Sequence, residues 1–394
     1  MDQNGIIIID KPADWTSHDV VAKLRGALRN AAQCAAAQSG TAQSGAAQSG
    51  TAQSGTARQK PGAAKNLRVG HGGTLDPMAT GVLPVFIGRA TRAAEFFESA
   101  EKEYIAGLMP GIVTDTQDIT GNILNQTDTT VTPEDLSAIL RRFTGAQKQI
   151  PPMYSAVKQE GKKLYELARR GVDVPRDARD IFISSIEMIG STGIGNTGGS
   201  TGIGSTRAVP MIPTGKAGTD LAFPPGRPVY TLRIVCSKGT YIRTLCHDIG
   251  AALGCGATMS ALRRIRAGAF TIDMAHTLDD VLAIISRHNH IISLRDPREV
   301  SSEPGAALTD PINDVMLPID SIFSHLPSII LNDADARKAK NGALRRAQGA
   351  RDGNYRFYAP DGEFLLLGEV RNNGMKTIKS FFTQTQDTQD TQGT

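Results

Sequence analysis

Between Ala31 and about Asn66 the tetrad Ala-Gln-Ser-Gly begins at Ala37, Ala42, Ala47 and Ala52, a five-residue period almost free of large apolar side chains. Such a stretch buries too little apolar surface to offset the entropy of ordering its backbone, and five residues is far below the length of a solenoid repeat. It constrains the fold by exclusion, because the core has to be assembled from the segments on either side. A second stretch of this kind runs from Ser191 to Pro228, with Ser-Thr-Gly-Ile-Gly at Ser191 and Ser200 and prolines at Pro210, Pro213, Pro224 and Pro225. Both read as insertions, at 31–66 and 191–228, placed at loop tips where extra chain is tolerated. Residues 383–394, polar and repetitive, read as a disordered tail.

The segments outside the insertions alternate between strand and helix patterns. Gly5-Ile6-Ile7-Ile8-Ile9-Asp10-Lys11 is a short β-branched run stopped by Pro12, and reads as a buried strand. A helix is expected next, capped by Ser17, with Val20, Val21, Leu24 and Leu28 at helical spacing. Lys102–Leu108, Ile181–Ile189 and Val229–Cys236 read as strands, Pro133–Phe143 and Tyr241–Leu253 as helices. The class is α+β. Residues 296–314, with Pro297, Pro304, Gly305 and Pro311, read as a linker, and 315–382 as a small β-rich unit. The chain has 394 residues, 40% of them hydrophobic, enough for one large domain over 1–295 and this smaller one.

The formal charge is only +4, but from Arg141 to Arg176 nine basic residues (Arg141, Arg142, Lys148, Lys158, Lys162, Lys163, Arg169, Arg170, Arg176) face three acidic ones. A polyanion is the natural partner for such a run, and a solvated helix face around Leu164–Arg170 is the plainer alternative. Cys34, Cys236, Cys246 and Cys255 form no CxxC pair and are too few for a disulfide framework, which points to a reducing compartment. No apolar run approaches the roughly 18 residues needed to span a bilayer, so a cytoplasmic monomer without membrane contact is the default expectation. The chain lacks GxxxxGK[ST], GxGxxG and any HxE with PCxxC, and Cys246, His247 and Cys255 make no convincing metal spacing. No metal and no organic cofactor are expected.

Chemistry concentrates in Arg68–Pro84, where Asp76 stands among Gly70, Gly72, Gly73 and Gly81, and Pro77 stiffens the chain just after it. Glycines there permit positive φ and leave room for a ligand against the backbone. The competing reading is purely structural, with Asp76 capping a short helix that begins at Pro77. Tyr104 offers an aromatic face and a hydroxyl, or is simply a core tyrosine. Arg243 at a helix start opposes the macrodipole and so implies a compensating anion, unless it is an ordinary surface arginine. His71, flanked by glycines, suits stacking or hydrogen bonding.

Taken together, these segments carry a resemblance. Gly5–Pro12, then Gly70-His71-Gly72-Gly73-Thr74-Leu75-Asp76-Pro77 with Ala79–Leu83, then Lys102-Glu103-Tyr104, then Cys236-Ser237-Lys238-Gly239-Thr240-Tyr241-Ile242-Arg243-Thr244-Leu245 resemble the bacterial tRNA pseudouridine-55 synthase family, TruB. Pro151–Lys158 and Leu262-Arg263-Arg264 extend the match. The resemblance implies isomerisation of one uridine in the tRNA T loop, without cofactor, on a mixed and mainly antiparallel sheet with flanking helices. It implies a C-terminal RNA-binding domain of PUA type at 315–382. By resemblance Asp76 is the catalytic aspartate, Tyr104 the tyrosine that packs on the base, and Arg243 the partner of Asp76. His71, Gly72, Gly73, Leu262, Lys11 and Lys238 would contact the substrate, Leu262 as an apolar wall. A uridine inside a folded loop must be extruded before a carboxylate reaches it, at a cost of a few kcal/mol that stacking and phosphate contacts offset. Attack on C1′, attack on C6 and proton abstraction from the sugar all require an ionised aspartate in nearly the same place.

Two rivals follow from the same residues. A tRNA-binding or folding protein would keep its function in Asp76→Asn, whereas an enzyme would lose product and keep binding. A nucleotide enzyme using Gly70–Gly73 as a phosphate cradle would be indifferent to salt.

Overall fold

The computed structural model describes residues 4–41, 67–155, 157–159, 161–168, 170–192, 227–294, 311–347 and 349–382. Most of the two expected insertions, most of the expected linker and the whole of the expected tail lie outside the described residues.

The centre is one mixed sheet. Gly5–Lys11 pairs antiparallel with Thr80–Ile87, which lies parallel to Ala257–Ala267, and this strand pairs antiparallel with Lys102–Pro110. Val229–Cys236, Arg179–Thr192 and Gly145–Gln149 complete the order, each antiparallel to its neighbour. Period-two alternation decides what each face covers. On the first strand Ile7 and Ile9 join Leu83, Val85, Tyr104, Ala106 and Ile234 in the main core, while Ile6 and Ile8 join Val82 and Phe86 on the opposite face. The run of four isoleucines is thus buried on both faces, which explains why no polar residue interrupts it.

Three helices cover the main-core face. Ser17–Thr41 contributes Val20, Val21, Leu24 and Leu28, Ile242–Ala252 contributes Ile242, Leu245 and Ile249, and Leu278–Leu294 contributes Leu278, Val281 and Ile285. Pro133–Leu140 adds Leu136 and Leu140 behind a Thr132–Asp135 capping box, and gives way at Arg141 to a 3₁₀ turn through Phe143.

Three sequence expectations need correction. Thr16, not Ser17, caps the first long helix, its hydroxyl accepting from Asp19 N at 3.1 Å while the Asp19 carboxylate accepts from Thr16 N at 2.9 Å. That helix continues to Thr41 and buries Ala31, the first residue of the expected insertion. Alanine has the highest helix propensity, so the Ala-rich start of the low-complexity stretch extends the helix. Finally, the boundary at 314/315 falls inside packed structure. Ile312 and Val315 belong to the main core, and Met316–Leu317 pairs with Ile7 and Ile6 of the first strand.

The C-terminal β-rich unit is a four-stranded sheet of Ser328–Ile330, Gly353–Tyr358, Phe364–Arg371 and Gly374–Ser380. It packs on the back of the large sheet through Phe323, Phe364 and Phe381, whose ring centroids lie 5.1–6.2 Å apart, and Phe381 and Leu367 share a core with Ile6 and Val82. Lys379 pairs with Glu95 at 2.6 Å across the same junction.

Candidate active site

The Asp76 loop connects Val69–His71 to Thr80–Ile87, two strands that pair with each other. Pairing closes its base, with Gly72 N donating to Pro84 O at 2.8 Å. Gly72 has no room for a side chain, since a Cβ there would stand 2.6 Å from Phe97 and 2.9 Å from Phe86. Gly73 takes φ +93° and Gly81 φ +101°, left-handed conformations that favour glycine. Ala79 N donates to Asp76 O at 3.0 Å, so Asp76-Pro77-Met78-Ala79 is a tight turn with proline at its second position. The helix-cap reading of Asp76 is thereby replaced, because no helix starts at Pro77.

Two buried side chains fasten this turn from below. Ser17 Oγ accepts from Leu75 N at 2.9 Å and donates to Leu75 O at 3.3 Å. Lys11 is fully buried and donates to Pro12 O at 2.7 Å, Trp15 O at 2.6 Å and Pro77 O at 3.1 Å. All three ammonium protons are occupied, so Lys11 does not reach a substrate; its expected contact is corrected to a clamp on the loop. Burial pushes its pKa down to about 8 against the pull of Asp14 and Asp76. Ser17→Ala leaves Leu75 N buried without its partner, a cost of about 1–3 kcal/mol. Chemical denaturation of Ser17→Ala beside the wild type is expected to show a loss of that size.

Asp76 is partly open to solvent, its side chain 30% exposed although protein surrounds most of the carboxylate. That surround raises its pKa, Arg243 and Lys11 pull it down, and Asp118 adds to the rise. Arg243, 6% exposed in its side chain, places Nη2 3.3 Å from Asp76 Oδ1 and Nη1 3.6 Å from Asp118 Oδ2. Its shortest bond is to Tyr154 O, at 2.6 Å. The anion implied by an arginine at a helix start is therefore a pair of carboxylates. Among the described residues the Asp76 carboxylate has no other hydrogen bond, which leaves it available to a ligand.

Asp118 is the residue that sequence reasoning missed. It is 4% exposed, and its Oδ1 accepts from Thr116 Oγ1 at 2.8 Å, Thr120 N at 3.0 Å and Thr120 Oγ1 at 2.6 Å. Three donors on one oxygen fix the carboxylate, so Oδ2 is directed to Arg243 and anchors it from the side away from Asp76. The clue was the Thr114-Asp115-Thr116-Gln117-Asp118-Ile119-Thr120-Gly121 stretch, dense in short hydrogen-bonding side chains.

Tyr104 is 8% exposed and stands in the strand register opposite Arg264, two pairs from Ala106 opposite Leu262. Leu262, 6% exposed, thus shares a sheet face with the phenol. Burial raises the Tyr104 pKa, with Arg264 opposing. His71 is half-buried, and burial lowers its pKa, so it is neutral at neutral pH. Lys238 stands exposed in the turn before Ile242–Ala252, and no described contact joins it to the Asp76 cluster. Of the basic run, Lys148 pairs with Asp180 at 3.0 Å and Arg176 donates to Pro151 O at 3.1 Å; Arg141, Arg142, Lys162 and Arg170 are exposed, and Arg169 lies outside the described residues. No three His, Cys, Asp or Glu side chains converge with metal-holding geometry among the described residues.

Comparison with known proteins decides the family. Residues 58–194 match the N-terminal domain of TruB family pseudouridylate synthase, and residues 243–324 match the tRNA pseudouridylate synthase B C-terminal domain. The tRNA pseudouridine synthase B of Syntrophomonas wolfei is 34% identical over 95% of this chain and 96% of its own, and that of Azoarcus sp. is 35% identical over 97% and 96%. The chain belongs to the TruB family. The likeness to the Bacillus pumilus protein of the same name, 32% identical over 95% of this chain and 97% of that one, spans the same range. Among solved structures, a chain of a Cbf5-Nop10-Gar1 complex aligns over 96% of this chain and 85% of its own with TM-score 0.56, at 23% identity. A chain of an archaeal box H/ACA Nop10-Cbf5 complex aligns over 97% and 88% with TM-score 0.54, at 22% identity. At that identity the likeness is one of fold. In this fold Asp76 stands in the loop before Thr80–Ile87, Arg243 on the helix Ile242–Ala252 and Tyr104 on the strand Lys102–Pro110, each held by a different element.

Proposed function

We propose that this TruB family member isomerises uridine 55 of the tRNA T loop to pseudouridine, breaking the N1 glycosidic bond and rejoining the base through C5. The observation that carries the reading is a buried guanidinium, Arg243, shared between a buried Asp118 and an Asp76 whose side chain is partly exposed. A carboxylate that acts on a base or its sugar must be ionised while largely surrounded by protein, and a fixed cation supplies that condition. Its long 3.3 Å contact leaves Asp76 loosely held and able to engage a substrate atom. Tyr104 and Leu262 form the apolar wall against which an extruded uracil rests, and neutral His71 beside the glycines holds the opened loop. The exposed cations of the 141–170 region bind backbone phosphates, and the C-terminal unit acts as a PUA-type RNA-binding domain.

Protein incubated with an unmodified tRNA transcript tritiated at C5 of uridine is expected to release tritium, with pseudouridine mapped to position 55. Binding of that transcript should weaken steeply as salt rises from 50 to about 200 mM, because each phosphate neutralised releases a counterion. A salt-insensitive affinity would favour a small-molecule substrate, and tight binding with no tritium release would favour a tRNA-binding protein.

A further inference from the structure

Arg264 is 1% exposed, and no carboxylate pairs with it among the described residues. Its guanidinium reaches both ends of the Asp76 loop. Nε donates to Val82 O at 2.8 Å, on the strand leaving the loop, and Nη2 donates to Gly73 O at 3.2 Å, on the segment entering it. The backbone of Arg264 crowds the same place, since a Cβ on Gly81 would stand 2.1 Å from Arg264 O. On the neighbouring strand Arg264 is in direct register with Tyr104, so the two side chains are neighbours on one face of the sheet.

A buried arginine cannot shed its charge, and without a carboxylate its burial is costly. The surroundings make it worse, for Arg264 acts unfavourably on Lys11, His71 and Lys102. Pure fold stability would be served better by an apolar side chain of similar size. What the arginine supplies, and an apolar residue could not, is a planar fork whose donors reach two separate carbonyls at once while its plane stands beside the Tyr104 ring in the adjoining strand.

We propose that Arg264 is a positioning residue that holds the Tyr104 phenol and the two ends of the Asp76 loop in one rigid frame. The inference rests on the pseudouridine synthase reading of the Asp76 site. Arg264→Lys keeps the charge but not the fork, and is expected to slow single-turnover tritium release about tenfold; Arg264→Met, which keeps neither, about a hundredfold, the scale of an ångström of misplacement. tRNA affinity should stay within about twofold of wild type for both, since the residue is buried away from bound RNA. The second readout is the ¹³Cζ resonance of Tyr104 in tyrosine-labelled protein, assigned with Tyr104→Phe. It should stand apart from those of the half-buried Tyr154, Tyr241 and Tyr355 in the wild type and move toward them in Arg264→Lys.

An unchanged rate in a folded Arg264→Lys protein overturns the proposal. So does a loss of melting temperature with the Tyr104 resonance unmoved, which marks a structural role only. If neither variant folds, the wild-type resonance still decides: coincidence with the half-buried tyrosines overturns the proposal. Absence of tritium release from the wild type is a separate result, and it removes the synthase reading itself.

Discussion

Asp76→Asn is expected to abolish tritium release, by about 10⁴-fold or more, while tRNA affinity stays within a factor of two. The amide has nearly the shape of the carboxylate but neither its charge nor its basicity, and groups that act directly on the reacting atoms contribute losses of at least about 10²–10⁴. The same substitution should stabilise the fold. Burial raises the Asp76 pKa above its unfolded value, so this residue contributes stability only while protonated, and that contribution is lost as pH rises through the raised value. At neutral pH the ionised carboxylate is therefore a net cost that asparagine removes. Arg243 keeps Asp118 and Tyr154 O as partners in the variant. Thermal melts should show a Tm higher by about 2–4 °C, the scale of ~1 kcal/mol in a domain of this size. In the wild type the pH–rate profile should lose its acid limb above the ordinary aspartate range, since only the carboxylate is active. A profile flat down to pH 4 would sink this assignment.

Arg243→Met is expected to damage both activity and stability. It leaves Asp118 buried, with three donors on one oxygen and nothing facing the other, and breaking a buried pair in this way costs about 3–5 kcal/mol. It also removes the largest influence holding the Asp76 pKa down, leaving only Lys11 against the repulsion of the ionised form by Asp118. Release of tritium should fall about 10³-fold, and the acid limb should move to higher pH. Arg243→Lys separates the two effects. It keeps a charge but cannot reach Asp76, Asp118 and Tyr154 O together, so we expect about a hundredfold loss of rate with most of the stability restored. Chemical denaturation beside single-turnover kinetics distinguishes these outcomes. Equal rates in Arg243→Met and wild type would remove Arg243 from the site.

Local chemistry made much of this legible. Four β-branched residues before Lys11-Pro12 could only be a buried strand, and the alternation in Val229–Cys236 gave that strand its full extent. Gly72, Gly73 and Gly81 marked a loop that side chains would block, and Asp76-Pro77 marked a stiff turn within it. These signals are carried by neighbours along the chain, so one sequence suffices to read them. Thr16 and Ser17 show where that reading stops. Either could cap the helix, and only the position of Leu75, 58 residues along, assigns Ser17 to the catalytic loop.

Long-range packing decided the rest. Arg263 and Arg264 are adjacent on a strand, so their side chains must leave on opposite faces; period two says that much and does not say which is inward. Register settles it, sending Arg263 to Asp10 at 2.7 Å and Arg264 beneath the Asp76 loop. Lys11 looks in sequence like a cation offered to a phosphate, and the fold instead closes three carbonyls around it. Asp118 joins Arg243 across more than a hundred residues, a contact invisible to any local pattern. By itself the sequence determined which segments were strands, helices and tight turns, and that Asp76 stands in a glycine-rich turn, because propensity and backbone geometry act over a few residues. Only the tertiary structure decided which charges stay open to solvent and which are fastened in the interior, because burial and ion pairing depend on neighbours that the chain supplies from far away.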